Sequence, residues 1–185
     1  CLDLADVEVL VFGPEFVSRI DAINANLDFL KMKFFVGRNG PDYAEDCMRL
    51  VGFCSSSAPP VALTEDDHAA IYFSSGTTGF PKAILHDHRS LNCACMVEQN
   101  HHSQTREDVF LCIPPLYHTG AKMHWFGSLL AGSKAVILKG TRPETILKAA
   151  SEEKCTIVWL LVPWAQDILA ALDRGELKLE DYELS

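Results

Sequence analysis

Ala69-Ala70-Ile71-Tyr72-Phe73-Ser74-Ser75-Gly76-Thr77-Thr78-Gly79-Phe80-Pro81-Lys82 opens as an apolar run and closes as a loop of hydroxyls, glycines and one lysine. The apolar half, Ala69 to Phe73, predicts a strand. The polar half has the composition needed to hold a polyphosphate. Glycine lets the backbone approach anionic oxygens and turn its N–H groups toward them. The hydroxyls of Ser74, Ser75, Thr77 and Thr78 add neutral donors, and Lys82 adds one mobile positive charge. Pro81 stiffens the exit, which reduces the entropy lost when a ligand is held. The spacing is not that of the P-loop of nucleoside triphosphatases, in which Ser or Thr directly follows the lysine. Here Ala83 follows Lys82, and Gly76 and Gly79 stand three apart.

Outward from this loop the pattern alternates strand and helix, which predicts an α/β fold: a mostly parallel sheet with helices on both faces. Strands are expected at Val7–Phe12, Lys33–Val36, Ala69–Phe73, Ile84–His86, Val109–Ile113, Ala135–Leu138 and Ile157–Val162. Helices are expected from Phe16 through Leu30, over Tyr43–Val51, from an Asp87 N-cap to about Ser103, and over Ala121–Ala131, Pro143–Lys154 and Trp164–Leu172. Ser55 to Pro60 reads as a linker or a surface connection.

Bulk chemistry narrows the function. The 185 residues are 48% hydrophobic, enough for a sizeable core. A net charge of −9 argues against a nucleic-acid surface, which needs clustered Lys and Arg. An anionic nucleotide can still be held locally by backbone N–H groups and Lys82. Seven cysteines without a Cys-x-x-Cys pair suit a reducing compartment, and a cytoplasmic location is expected. Cys93 and Cys95, with His86, His88, His101 and His102 nearby, match no zinc spacing; the two cysteines read as packing residues, and no metal ligands are assigned. Thr156 to Leu172 is interrupted by Pro163, Gln166 and Asp167, so no transmembrane segment is expected.

The stretch Tyr72–Leu91 resembles the signature loop of the adenylate-forming superfamily of acyl- and aryl-CoA synthetases, luciferases and peptide-synthetase modules. The match runs from Ser74 through Lys82, continues as Ile84-Leu85 and ends on His88-Arg89-Ser90-Leu91. Ala83 replaces the usual glycine, a costly change only where positive φ is required. Pro114-Pro115-Leu116-Tyr117-His118-Thr119-Gly120 is similar to a second family segment, beside the acyl site and the coenzyme A entry. The resemblance extends from about Ala5 to about Leu172. It implies that residues 1–185 form part of the N-terminal ATP- and acyl-binding domain. The C-terminal domain that carries a catalytic lysine lies outside them, and this stretch alone is expected to be inactive.

The resemblance implies an ATP-dependent carboxylate:CoA ligase that forms an acyl-adenylate and then a thioester, with ATP, Mg2+ and coenzyme A as reactants and cofactors. Ser74, Ser75, Gly76, Thr77, Thr78, Gly79 and Lys82 are the candidate phosphate contacts. Lys82 and His118 are the candidate catalytic residues. Tyr117, His118, Met123 and Trp125 are the candidate substrate contacts, although Met123 and Trp125 suit a helix core equally well. His88 and Arg89 fall at a helix start. Two alternatives remain open: a module that loads a carrier protein or oxidises its adenylate, and a nucleotide-binding or interaction unit without catalysis. The carboxylic acid, fatty or aromatic, and the oligomeric state are left open by these residues.

Overall fold

The computed structural model describes residues 1–74 and 79–184. Two compact units emerge, one of residues 1–63 and 71–85, the other of residues 64–70 and 86–185.

In the first unit, β1 (Val9–Phe12), β2 (Met32–Phe35) and β3 (Glu45–Asp46) form a parallel sheet in that order. Pro14 opens a 3-10 turn that leads into α1 (Val17–Ile23). The helix is shorter than the apolar spacing predicts. Asn24-Ala25-Asn26 tightens into a 3-10 turn, because asparagine side chains compete with helical backbone bonding. Leu27 and Leu30 are nevertheless buried, with Ile20, Phe12 and Phe35. The expected Tyr43–Val51 helix is also reduced, to α2 (Cys47–Val51). Glu45 and Asp46 are drawn instead into the ladder opposite Phe34 and Phe35. Asp46 caps α2 by accepting the Arg49 N–H at 3.0 Å. Tyr43 stacks on Phe12 and donates its hydroxyl to Asp21; burial and that carboxylate push its pKa up to about 12.

β4 (His68–Ser74) pairs with β5 (Lys82–Asp87), so paired strands bracket the glycine-rich loop. Ser75, Gly76, Thr77 and Thr78 lie outside the described residues. Ala83 lies within β5 and is not among the residues with positive φ, so its substitution for glycine carries no backbone strain.

The second unit is built on β6 (Val109–Cys112), flanked by β7 (Lys134–Ile137) on one side and β8 (Ile157–Val158) on the other, all parallel. α3 (His88–His101) precedes β6, α4 (Thr119–Ala131) joins β6 to β7, and α5 (Pro143–Glu152) joins β7 to β8. α6 (Val162–Asp173) follows β8. The order β7-β6-β8 makes the two crossovers run in opposite directions. With right-handed crossovers, α4 and α5 must then cover opposite faces. Side-chain alternation agrees. Phe110 and Cys112 pack with Ala121 of α4, whereas Leu111 and Ile113 pack with Ile146, Leu147 and Ala150 of α5 and Ile168 of α6. Phe110, Leu111, Cys112 and the following Ile113 are at most 1% exposed, which marks β6 as buried on both sides.

β8 is shorter than the expected Ile157–Val162. Its partner β6 ends at Cys112, and the chain from Trp159 leaves the ladder toward α6. On α3, Asp87 accepts the Ser90 N–H at 2.7 Å, which is the expected cap. That bond holds the Asp87 carboxyl below its ordinary pKa. Cys95 is buried where α3 meets α4, and a Cβ on Gly127 would come within 3.3 Å of its carbonyl oxygen. Cys93, expected as a packing residue, is exposed instead, because α3 turns it away from that contact. Among the described residues no helix is long and apolar enough to cross a membrane.

Candidate functional site

In open α/β sheets, ligands gather beyond the carboxyl ends of the strands where neighbouring connections go to opposite faces. In the second unit that point lies between β6 and β8. The chain leaving β6 is Ile113-Pro114-Pro115-Leu116-Tyr117-His118, and the residue leaving β8 is Trp159. Ile113 and Pro114 are buried, which anchors the segment, while Tyr117 is 78% exposed. Leu116 and Trp159 pack against Phe110, Cys112 and Ala121.

His118 is the N-cap of α4, and its Nδ1 accepts the Gly120 N–H at 3.1 Å. That bond fixes the ring chemistry. A nitrogen that accepts has no proton, so the neutral ring carries its proton on Nε2. The exposed edge of His118 is therefore a donor. Its ring lies 6.3 Å from the Trp159 ring, centroid to centroid. Gly120 permits this approach, since a Cβ there would stand 2.9 Å from Trp159 Cη2. His118, Tyr117 and Trp159 thus share one end of the sheet.

Met123 and Trp125 do not share a face. The buried stripe of α4 is Gly120, Ala121, His124, Gly127 and Ser128, and residues two apart point away from each other. Met123 and Trp125 flank His124 on opposite sides of that stripe, and Trp125 stacks on Phe126 at 5.0 Å.

Of the phosphate-loop residues, Ser74 closes β4 and Lys82 opens β5. Both are exposed. Gly79 has φ +82, and a Cβ there would meet nothing within 4 Å, so glycine is favoured at this position for backbone reasons alone. Ser75, Gly76, Thr77 and Thr78 are the candidates outside the described residues. His88 and Arg89 stand at the start of α3. Arg89 bridges Glu65 at 2.9 Å and Asp66 at 2.8 Å, an exposed clamp between neighbouring segments.

Sequence reasoning does not single out Trp159, although its place at the end of a buried strand is a usable signal. Nor does it find a polar group between the helices of the second unit. Glu98 and His102, at the end of α3, and His124 of α4 bring ligand atoms within 4.8 Å of one another. Burial holds His124 below its ordinary pKa, against the raising influence of Glu98, so its ring is neutral.

The AMP-binding enzyme family model matches residues 1–185. A 4-coumarate–CoA ligase-like protein of Arabidopsis thaliana is 31% identical over 125 residues, covering 66% of this chain and 22% of that protein. A long-chain-fatty-acid–CoA ligase of Thermus thermophilus is 27% identical over 171 residues, covering 86% of this chain and 30% of that protein. The chain therefore spans less than a third of the length of these relatives. The crystal structure of an anthranilate CoA ligase in complex with anthranoyl-AMP has the same fold, with a TM-score of 0.86 at 21% identity over 96% of this chain and 35% of that one. The family model covers the glycine-rich loop and both ends of the sheet alike, and the chain belongs to the AMP-binding enzyme family.

Proposed function

We propose that this chain supplies the triphosphate grip and part of the acyl site of an ATP-dependent carboxylate:CoA ligase. The observation that carries the reading is the Ser74–Lys82 loop, held at its two ends by the paired strands β4 and β5 within an AMP-binding family chain. A carboxylate oxygen of the acid attacks the α-phosphorus of ATP, the bond to the bridging oxygen breaks, and pyrophosphate leaves with that electron pair. The sulfur of coenzyme A then attacks the carbonyl carbon of the acyl-adenylate, and AMP leaves as the thiol proton is lost.

The barrier in the first step is electrostatic, because one anion must approach another. The loop hydroxyls, backbone N–H groups and Lys82 offset negative charge as it grows on the departing pyrophosphate. His118 donates from Nε2 to the carboxylate of the acid, and its Nδ1 bond to Gly120 keeps that donor aimed. Trp159, beside the His118 ring, and Tyr117 supply aromatic surface at the same end of the sheet for the acid, and Met123 or Trp125, on opposite flanks of α4, extends it. Mg2+ prefers hard oxygen ligands. The three-residue ligand cluster among the described residues is rich in imidazole, so these residues assign no step to Mg2+.

Pyrophosphate exchange in the complete enzyme tests the loop. Lys82→Ala is expected to slow exchange by about a hundredfold or more, the usual effect of removing one transition-state donor. Exchange at the wild-type rate would remove Lys82 from the mechanism. Replacing coenzyme A by a carrier protein in the second half-reaction separates the ligase from a carrier-loading module.

A further inference from the structure

We infer that Glu98, His102 and His124 form a divalent transition-metal site, suited to Zn2+, that fastens α3 to α4. Glu98 and His102 stand one turn apart at the end of α3, the i, i+4 spacing that presents two ligands to one ion. His124 faces them from the buried stripe of α4. The Glu98 carboxylate lies 3.8 Å from His102 Nε2 and 3.9 Å from His124 Nδ1. Ligand atoms around a tetrahedral Zn2+ stand about 3.3 Å apart, given bonds of roughly 2.0–2.1 Å. All three ligand atoms lie within 4.8 Å of one another, so binding an ion draws them together by up to about 1.5 Å.

The independent observation is that these nitrogens are unsatisfied. His124 is 3% exposed, and neither its Nδ1 nor His102 Nε2 has a hydrogen-bond partner among the described residues. Leaving a buried polar nitrogen unbonded costs free energy, so these two nitrogens call for an occupant. A proton is a poor one for His124, whose burial favours the neutral ring. A neutral imidazole is also the form that binds metal.

The surroundings suit the same occupant. The Phe110 ring lies beneath His124 at 4.7 Å, nearly parallel, and meets His102 edge-on at 5.8 Å. Trp159 lies 5.1 Å from His124 on another side. This apolar shell lowers the local dielectric and strengthens each metal–ligand bond. Glu98 and His102 are partly exposed, which leaves an entry path and a fourth position for water. Two imidazoles and one carboxylate are a donor set that Zn2+ uses and Mg2+ or Ca2+ does not favour. None of the three ligands is a candidate phosphate or substrate contact.

Thermal unfolding of the metal-stripped chain with and without added Zn2+, together with the absorption spectrum of its Co2+ form, tests the site. Zn2+ is expected to raise the melting temperature, by the ordinary linkage of binding to folding. Co2+ is expected to give tetrahedral d–d bands without a sulfur-to-metal charge-transfer band. Glu98→Gln and His102→Ala, both at partly exposed positions and compatible with the fold, are expected to weaken Zn2+ binding by about a hundredfold or more. Unchanged circular dichroism in these variants separates ligand loss from unfolding, so the test does not rely on His124 variants. Absence of a Zn2+ shift in the wild-type chain, a full shift in both variants, or a thiolate band in the Co2+ spectrum would each overturn the site.

Discussion

His118 does two jobs with one ring, and the two can be separated. Its Nδ1 caps α4, and its Nε2–H faces outward. His118→Ala removes both and should destabilise the fold by about 1 kcal/mol, the usual worth of a lost cap. Asparagine is a good N-cap residue. His118→Asn should therefore restore most of the melting temperature while adenylation stays slow; recovery of both would reduce the histidine to a cap. Gly120 is constrained by the same neighbour. Gly120→Ala drives a methyl group against Trp159 and should cost about 1–3 kcal/mol in a urea titration. His124 makes stability depend on pH. Its folded pKa is depressed, so below the ordinary histidine value the unfolded chain takes up a proton that the fold refuses. The associated stability is complete at neutral pH and is lost as pH falls through the unfolded and then the folded pKa. The charged or titratable groups that face it are Glu98 and His102 from the end of α3; β6 offers the Phe110 ring. Melting temperatures of wild type and His124→Asn from pH 7 downward should converge if this holds.

At the scale of elements, β6 carries the second unit. Leu111→Ala should cost about 2–5 kcal/mol, as should Ile146→Ala on the α5 side of the same cluster, measured by chemical denaturation. The elements themselves were largely legible in the sequence. The Asp87 cap, the inward face of α5 at Ile146, Leu147 and Ala150, and the alternation of strand and helix all follow from local chemistry. Two of the misses share one cause. Glu45–Asp46 became a strand, and β8 stopped at Val158, because ladder pairing depends on a partner elsewhere in the chain. Local propensity carries no record of that partner. The candidate site divides the same way. Lys82 and His118 stood out within continuous motifs. Trp159 comes into play only once β8 lies beside β6, and His124 only once α4 lies across α3.

Considered as a whole molecule, the chain places Lys82 in one unit and His118 in the other, so each residue has its own scaffold. Protection from hydrogen exchange should reflect the difference between those scaffolds. The amides of Phe110 to Ile113 should exchange slowest, and those of β1, whose Val9 and Val11 are exposed, markedly faster. Equal protection in the two strands would contradict that ranking. The two-sided burial of Phe110, Leu111, Cys112 and Ile113 has a further bearing on how the proposed ligase would change substrate. A side chain gripped from above and below cannot alter its volume without disturbing two layers at once, so this strand is closed to innovation. Tolerance to substitution should rise abruptly a few residues later, where Tyr117 stands in the open, and diversification of the acid accepted should be concentrated there.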